Sequence, residues 1–260
     1  MKIALHLYAL RNYIRKNEEL VKTLTAIKAM GFDAVQVSGL GNWNSERLDI
    51  LKESCQTLGL EIAGTHLQMF PTDESLDSII EQHNALNTSC VGIGSMPESY
   101  NRQDLTHYQE FIIKYSKMAK YLDEKGLTLT YHHHAFEFSK MNGLYPIDII
   151  LQHMYTSPLK LEVDVYWLQY SGINIIEFIK KHQKLIANIH IKDMRISIVD
   201  HWHTEQKFCP IGEGNINYKY LIPQLRLLQI PWLIIGQDDF YGEDPWEQLS
   251  KSLSYIRSLV

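Results

Sequence analysis

NEELVKTLTAIKAMGFDAVQVSG, residues 17–39, reads as a helix, a stop and a strand. Leu20, Leu24, Ile27 and Met30 recur at intervals of three and four, the spacing of one helical face, and Gly31 follows where a helix closes. AVQVSG (34–39) is then short and β-branched, as a strand is. The same order recurs downstream. ERLDILKESCQTLGL and YQEFIIKYSKMAKYLDEKGL end in the same way, at Gly59 and Gly126, and each runs into an apolar strand.

Working outward, strands are predicted at 3–8, 34–39, 61–67, 90–95, 127–133, 159–165, 187–193 and 232–238. Strands alternating with helices build a parallel sheet, and eight of them close a (β/α)8 TIM barrel. A doubly wound open sheet shares the alternation, but the Gly-rich phosphate turn expected after its first strand is missing from ALHLYALRNY. No linker or low-complexity tract interrupts residues 1–260, which are expected to form a single domain. The longest irregular stretch, MRISIVDHWHTEQKFCPIGEGNIN, follows strand seven, where long loops tend to carry function. Within it Asn215 is the expected cap of the next helix.

Composition narrows the function. At 260 residues and 45% hydrophobic the chain can bury one large core, and a net charge of −5 argues against a nucleic-acid partner. Cys55, Cys90 and Cys209 lie far apart and lack CxxC spacing, which fits a reducing cytoplasm. The first residues hold too short an apolar run for a signal peptide, and no run approaches the 20 or so residues of a membrane span. No membrane partner is expected; a homo-oligomer is compatible with the chain.

Catalytic groups of a TIM barrel lie at the C-terminal ends of its strands. Here those ends carry His66, then His132, His133, His134 and Glu137, then Glu162 and Asp164, then His190, Lys192 and Asp193, then Gln237 and Asp238. Glu137, Asp164 and His190 together offer oxygen and nitrogen donors suited to a divalent ion such as Mn, Mg, Co or Zn. Each has a structural alternative. Alternation along a strand turns at least one of the three consecutive histidines into the helix layer. Asp164, between Val163 and Val165, is costly to bury without a cation or a donor, whereas His190 also reads as a satisfied core histidine. Lys192 is in phase with His190 and is expected to face the mouth. Trp167 reads either as packing or as an apolar wall for a sugar ring.

The ordered set LYALR, THLQM, YHHHAFEF, LEVDVYWLQYSG, IHIKD, IGEGNINY and QDD…DPWEQLSKSLSYIRSL resembles the xylose isomerase-like TIM-barrel superfamily, in its sugar phosphate isomerase/epimerase branch. The resemblance implies one divalent metal held by two glutamates, an aspartate and a histidine. Carried over residue by residue it implies Glu137, Asp164 and His190 as ligands. The fourth position falls on Gly236, in Ile235-Gly236-Gln237-Asp238, where related sequences typically carry glutamate. Asp238, two residues on and on the same face, is the candidate to reach towards that place. YHNH is the usual middle motif, and His133 replaces its asparagine.

What the resemblance implies chemically is a metal-dependent sugar or sugar phosphate isomerase/epimerase working through an enediolate. Epimerisation commonly needs acid and base on opposite faces, whereas an aldose–ketose shift or an elimination runs on one base. With glycine at 236, single-base chemistry is expected, with Glu137 as base, Lys192 or a histidine as proton donor, and His66, His132, His134 and Trp167 around a small-molecule sugar. Two alternatives accompany it: a lyase acting on keto-sugars, and a non-catalytic sugar-binding relative. A DNA-repair endonuclease shares the barrel but needs a basic face and more metal ligands than this chain supplies.

Overall fold

Parallel strands that are apolar on both faces need cover on both, and the barrel provides it with side chains inside and helices outside. The computed structural model describes residues 1–41, 43–67 and 71–260, so Gln68 and Met69 of the THLQM motif lie outside the described residues. The barrel strands are β1 (Lys2–His6), β2 (Ala34–Val37), β3 (Glu61–His66), β4 (Cys90–Ile93), β5 (Thr128–His132), β6 (Lys160–Asp164), β7 (Ile186–Ile191) and β10 (Trp232–Ile235). They close in the order β1-β10-β7-β6-β5-β4-β3-β2, every pair parallel. Each predicted strand is present, one to three residues shorter at its C-terminal end, where the chain turns off the barrel rim.

Around it run α1 (Asn17–Met30), α2 (Ser45–Leu58), α3 (Leu76–Ala85), α4 (Leu105–Asp123), α5 (Pro146–Met154), α6 (Val165–Tyr170), α7 (Ile175–His182), α8 (Tyr218–Leu227) and α9 (Pro245–Arg257). The face of α1 read from sequence is the buried one: Leu20, Leu24 and Ile27 are fully covered, each contributing about 1.5–3 kcal/mol of burial. Gly31 closes α1 at φ +99°, its N–H reaching the Ile27 and Lys28 carbonyls.

The stretch read as irregular after strand seven instead contains an antiparallel hairpin, β8 (Asp193–Ile198) and β9 (Thr204–Cys209). Its outer half is exposed, with Trp202 84% accessible at the tip, so cross-strand pairing and not burial shapes it. The cap of α8 is Asn217, whose side chain accepts from Tyr220 N; Asn215 Oδ1 instead accepts from Ile196 N and ties the loop to the hairpin.

The barrel interior changes character along its axis. At the N-terminal end Ala4, Ala34, Ala63 and Ile234, with Trp232, form an apolar plug. Two residues further along the same faces come His6 after Ala4, Gln36 after Ala34 and Gly236 after Ile234. The charged and imidazole side chains of the interior therefore gather towards the C-terminal end. No helix among the described residues is long and apolar enough to cross a membrane.

Candidate active site

Alternation on β6 sends Glu162 and Asp164 inward and Val163 outward, and pairing sets His132 beside Glu162 and His190 beside Asp164. Deeper in the barrel, Glu162 is fully buried. Its Oε1 accepts from Gln36 Nε2 at 2.5 Å, its Oε2 accepts from His66 Nε2, and His190 Nε2 lies 3.2 Å from Oε1. His190 Nε2 also donates to Gln36 Oε1 at 2.8 Å. Burial alone would raise the Glu162 pKa, but His190 and His66 outweigh it and hold the carboxyl well below the usual range.

Nearer the mouth, Asp164 Oδ2 lies 3.1 Å from His132 Nε2 and 3.0 Å from Lys192 Nζ, while Oδ1 caps α6 by accepting from Tyr166 N at 2.9 Å. Lys192 Nζ donates onward to Asp238 Oδ2 at 2.8 Å. Burial acts to raise Asp164 and to lower Lys192; each is overridden by the opposite charge, so Asp164 is depressed and Lys192 raised, and the ammonium stays charged. His132 goes the other way. Desolvation pushes it down to about 3 despite Asp164, and desolvation likewise holds His134 and His6 well below their ordinary value, leaving neutral imidazoles around one fixed cation.

Sequence reasoning placed Asp164, His190, His132, His66, Lys192 and Asp238 at the mouth, and the structure brings them together. Glu137 is corrected. It sits in a 3-10 turn beyond the strand, where Tyr131 Oη donates to Oε1 and His134 N to Oε2 at 2.8 Å. Tyr131 is one residue out of phase with His132 and packs against Phe111 of α4, so Glu137 faces the helix layer, away from Asp164 and His190. Burial pushes its pKa up to about 7. The imidazole that joins Asp164 and His190 is His132, on the strand itself. Trp167 packs against His134 and Phe208 and does not line the cavity. Asp238 meets Lys192 and not an open ligand position. His133 turns outward, its Nε2 accepting from Asp164 N at 3.1 Å. Two inward residues, His6 and Gln36, escaped the sequence reading; their signal was their phase with Ala4 and Ala34.

Two groups bring donor atoms close enough to hold a metal ion: His66, Glu162 and His190, and His132, Asp164 and His190. Each group is also engaged with partners of its own. In the deeper group the ring nitrogens of His66 and His190 meet Glu162 and Gln36, and as N–H donors to them they would offer no lone pair inward. In the upper group the cation on Asp164 is already the Lys192 ammonium, and a second positive charge a few Å away is strongly repelled in a buried site.

These groups open into a cavity of 540 Å³ whose lining includes His6, His66, His132, His134, Lys192 and Asp238. His66 is 7% exposed. Its Nε2 pairs with Glu162, and among the described residues its Nδ1 has no hydrogen-bond partner. The arrangement offers a carboxylate-held imidazole and an ammonium at one small-molecule pocket, the components of proton transfer next to a carbonyl.

Similarity to known proteins extends along the whole barrel. An inosose dehydratase of Clostridium botulinum is 23% identical over 263 aligned positions, covering 89% of this chain and 88% of its own length. A sugar phosphate isomerase/epimerase of Parabacteroides distasonis superposes with a TM-score of 0.74 at 20% identity, over 99% of this chain and 93% of its own. A xylose isomerase-like TIM barrel protein of Mycobacterium smegmatis, solved with magnesium, gives 0.73 at 14% identity over 99% and 96%. The sequence profile of the xylose isomerase-like TIM barrel matches residues 24–259, and the chain belongs to that family.

Proposed function

We propose that the protein acts on a small polyhydroxylated ketone, a keto-sugar or keto-cyclitol, by removing a proton from the carbon beside the carbonyl. The observation that carries this reading is the pairing of His66 Nε2 with the buried Glu162 carboxylate on the same cavity wall as the Lys192 ammonium. Glu162 fixes the tautomer of His66 and stabilises the imidazolium that forms when Nδ1 takes the proton, as an orienting carboxylate does for a general base. Lys192 supplies the positive charge facing the carbonyl oxygen as it becomes an enolate oxygen. For isomerisation the neighbouring hydroxyl passes its proton to the enolate oxygen and the imidazolium returns its own proton to the former carbonyl carbon; for elimination the imidazolium protonates a departing β-hydroxyl, giving water and an unsaturated ketone. The second outcome agrees with the name of the dehydratase relatives.

His66 takes the place of Glu137 as base in this reading, and one base suffices for either outcome. Incubating the protein with inososes and ketohexoses in heavy water and following substrate and product by proton NMR tests it. Exchange of the hydrogen next to the carbonyl, with an isomer or a dehydrated product, is expected; binding without exchange of any such hydrogen would sink the reading.

A further inference from the structure

Lys192 and Gly236 are a matched pair. β7 and β10 are neighbours, Gly236 N donates to Ile191 O at 3.2 Å, and a Cβ built on Gly236 would lie 2.9 Å from Lys192 Cε and 3.6 Å from its Cγ. A side chain at 236 would run through the space that the lysine stem fills. The glycine thus leaves room for a 1% exposed lysine between its neighbouring strands, with its ammonium 3.0 Å from Asp164 of β6 and 2.8 Å from Asp238 beyond β10. Asp164 is also one of three donors, with His132 and His190, close enough together for a metal ion.

We infer that Lys192 is a built-in cation that occupies the charge position of the His132–Asp164–His190 donor group and excludes a divalent ion from it. An ammonium and a divalent ion cannot share Asp164 at this separation without repulsion, and the covalently tethered charge needs no capture from solution. Glycine at 236 does two things at once: it contributes no ligand, and it opens the path the lysine takes. This stands on the geometry alone and does not require the proton-transfer reading, so the two fail separately.

The test is calorimetric titration of the apo protein with Mn²⁺, Co²⁺ and Zn²⁺, each alone, on the wild type, Asp164→Asn, Lys192→Met and the double variant. The wild type is expected to show no one-to-one binding that Asp164→Asn removes. Lys192→Met is expected to bind one Co²⁺ or Zn²⁺ about tenfold or more tighter than the wild type, and Asp164→Asn in that background should abolish the gain. One-to-one binding to the wild type that Asp164→Asn removes would overturn the inference, as would a folded Lys192→Met variant with no gain. Should Lys192→Met fail to fold, the wild-type and Asp164→Asn pair alone still decides.

Discussion

His66 combines a place on the cavity wall with one nitrogen held by a buried carboxylate and the other without a hydrogen-bond partner among the described residues. If it is the base, His66→Gln lowers kcat by about 100- to 10,000-fold in the exchange assay while the fold persists. Glu162→Gln removes the acceptor that fixes the ring, and a loss of roughly 100-fold or more is expected from tautomer scrambling. Glu137→Gln separates this account from a strand-five glutamate base. Its carboxyl serves Tyr131 and the His134 backbone in the helix layer, so kcat should change by less than about tenfold. The glutamate was misplaced from sequence because it lies five residues beyond His132, past the strand end, where a two-residue alternation no longer predicts the face. Asp164, inside its strand, kept its phase and was legible.

At the scale of elements, the loop between β9 and α8 is organised by one side chain. The Asp193 carboxylate accepts from Met194 N at 2.8 Å, Gly212 N at 2.9 Å, Ile216 N at 3.1 Å and Gly214 N at 3.2 Å. A Cβ on Gly214 would collide with that carboxylate. Gly214→Ala should therefore cost about 1–3 kcal/mol, read as a lower urea midpoint at unchanged slope. An unchanged midpoint would mean that the loop repacks around the methyl. Gly212 and Gly214 stand out in IGEGNINY as loop glycines, but the partner that requires them does not: Asp193 lies 19 and 21 residues upstream, and the intervening β8–β9 hairpin brings its carboxylate and the loop together. The hairpin itself escaped because its strands alternate weakly and bury little on their outer half. The helix–glycine–strand segment of residues 17–39 was fully legible, since its signals are local.

The molecule as a whole concentrates neutral histidines. Desolvation pushes His132 down to about 3 and His133 and His83 down to about 4, against an unfolded value of 6.5. Between those values the unfolded chain binds protons that the folded one refuses, so stability falls as pH drops below 6.5. Glu137 opposes this: its folded pKa of about 7 lies above 4.5 unfolded, so its contribution is complete below 4.5 and is lost as pH rises through 7. Three histidines outweigh one glutamate. Because each tenfold difference in proton affinity between the folded and unfolded chain is worth about 1.4 kcal/mol, acidification from about pH 6.5 to 4 should remove on the order of several kcal/mol. Urea midpoints across that range check it; a midpoint rising towards pH 4 would contradict it. Barrel closure and the polar C-terminal ends of the strands were implied by the strand count and phase; the apolar plug was not read from the sequence. The convergence of His6, Gln36 and Glu162 was not read either, because it depends on which strands face each other across the axis. The most direct test of the proposed base is deuterium uptake at the carbon beside the carbonyl of a turned-over ketone, measured in parallel for wild type, His66→Gln and Glu137→Gln. Uptake in the wild type and Glu137→Gln but not in His66→Gln is the predicted result; uptake that survives His66→Gln and vanishes with Glu137→Gln would contradict it.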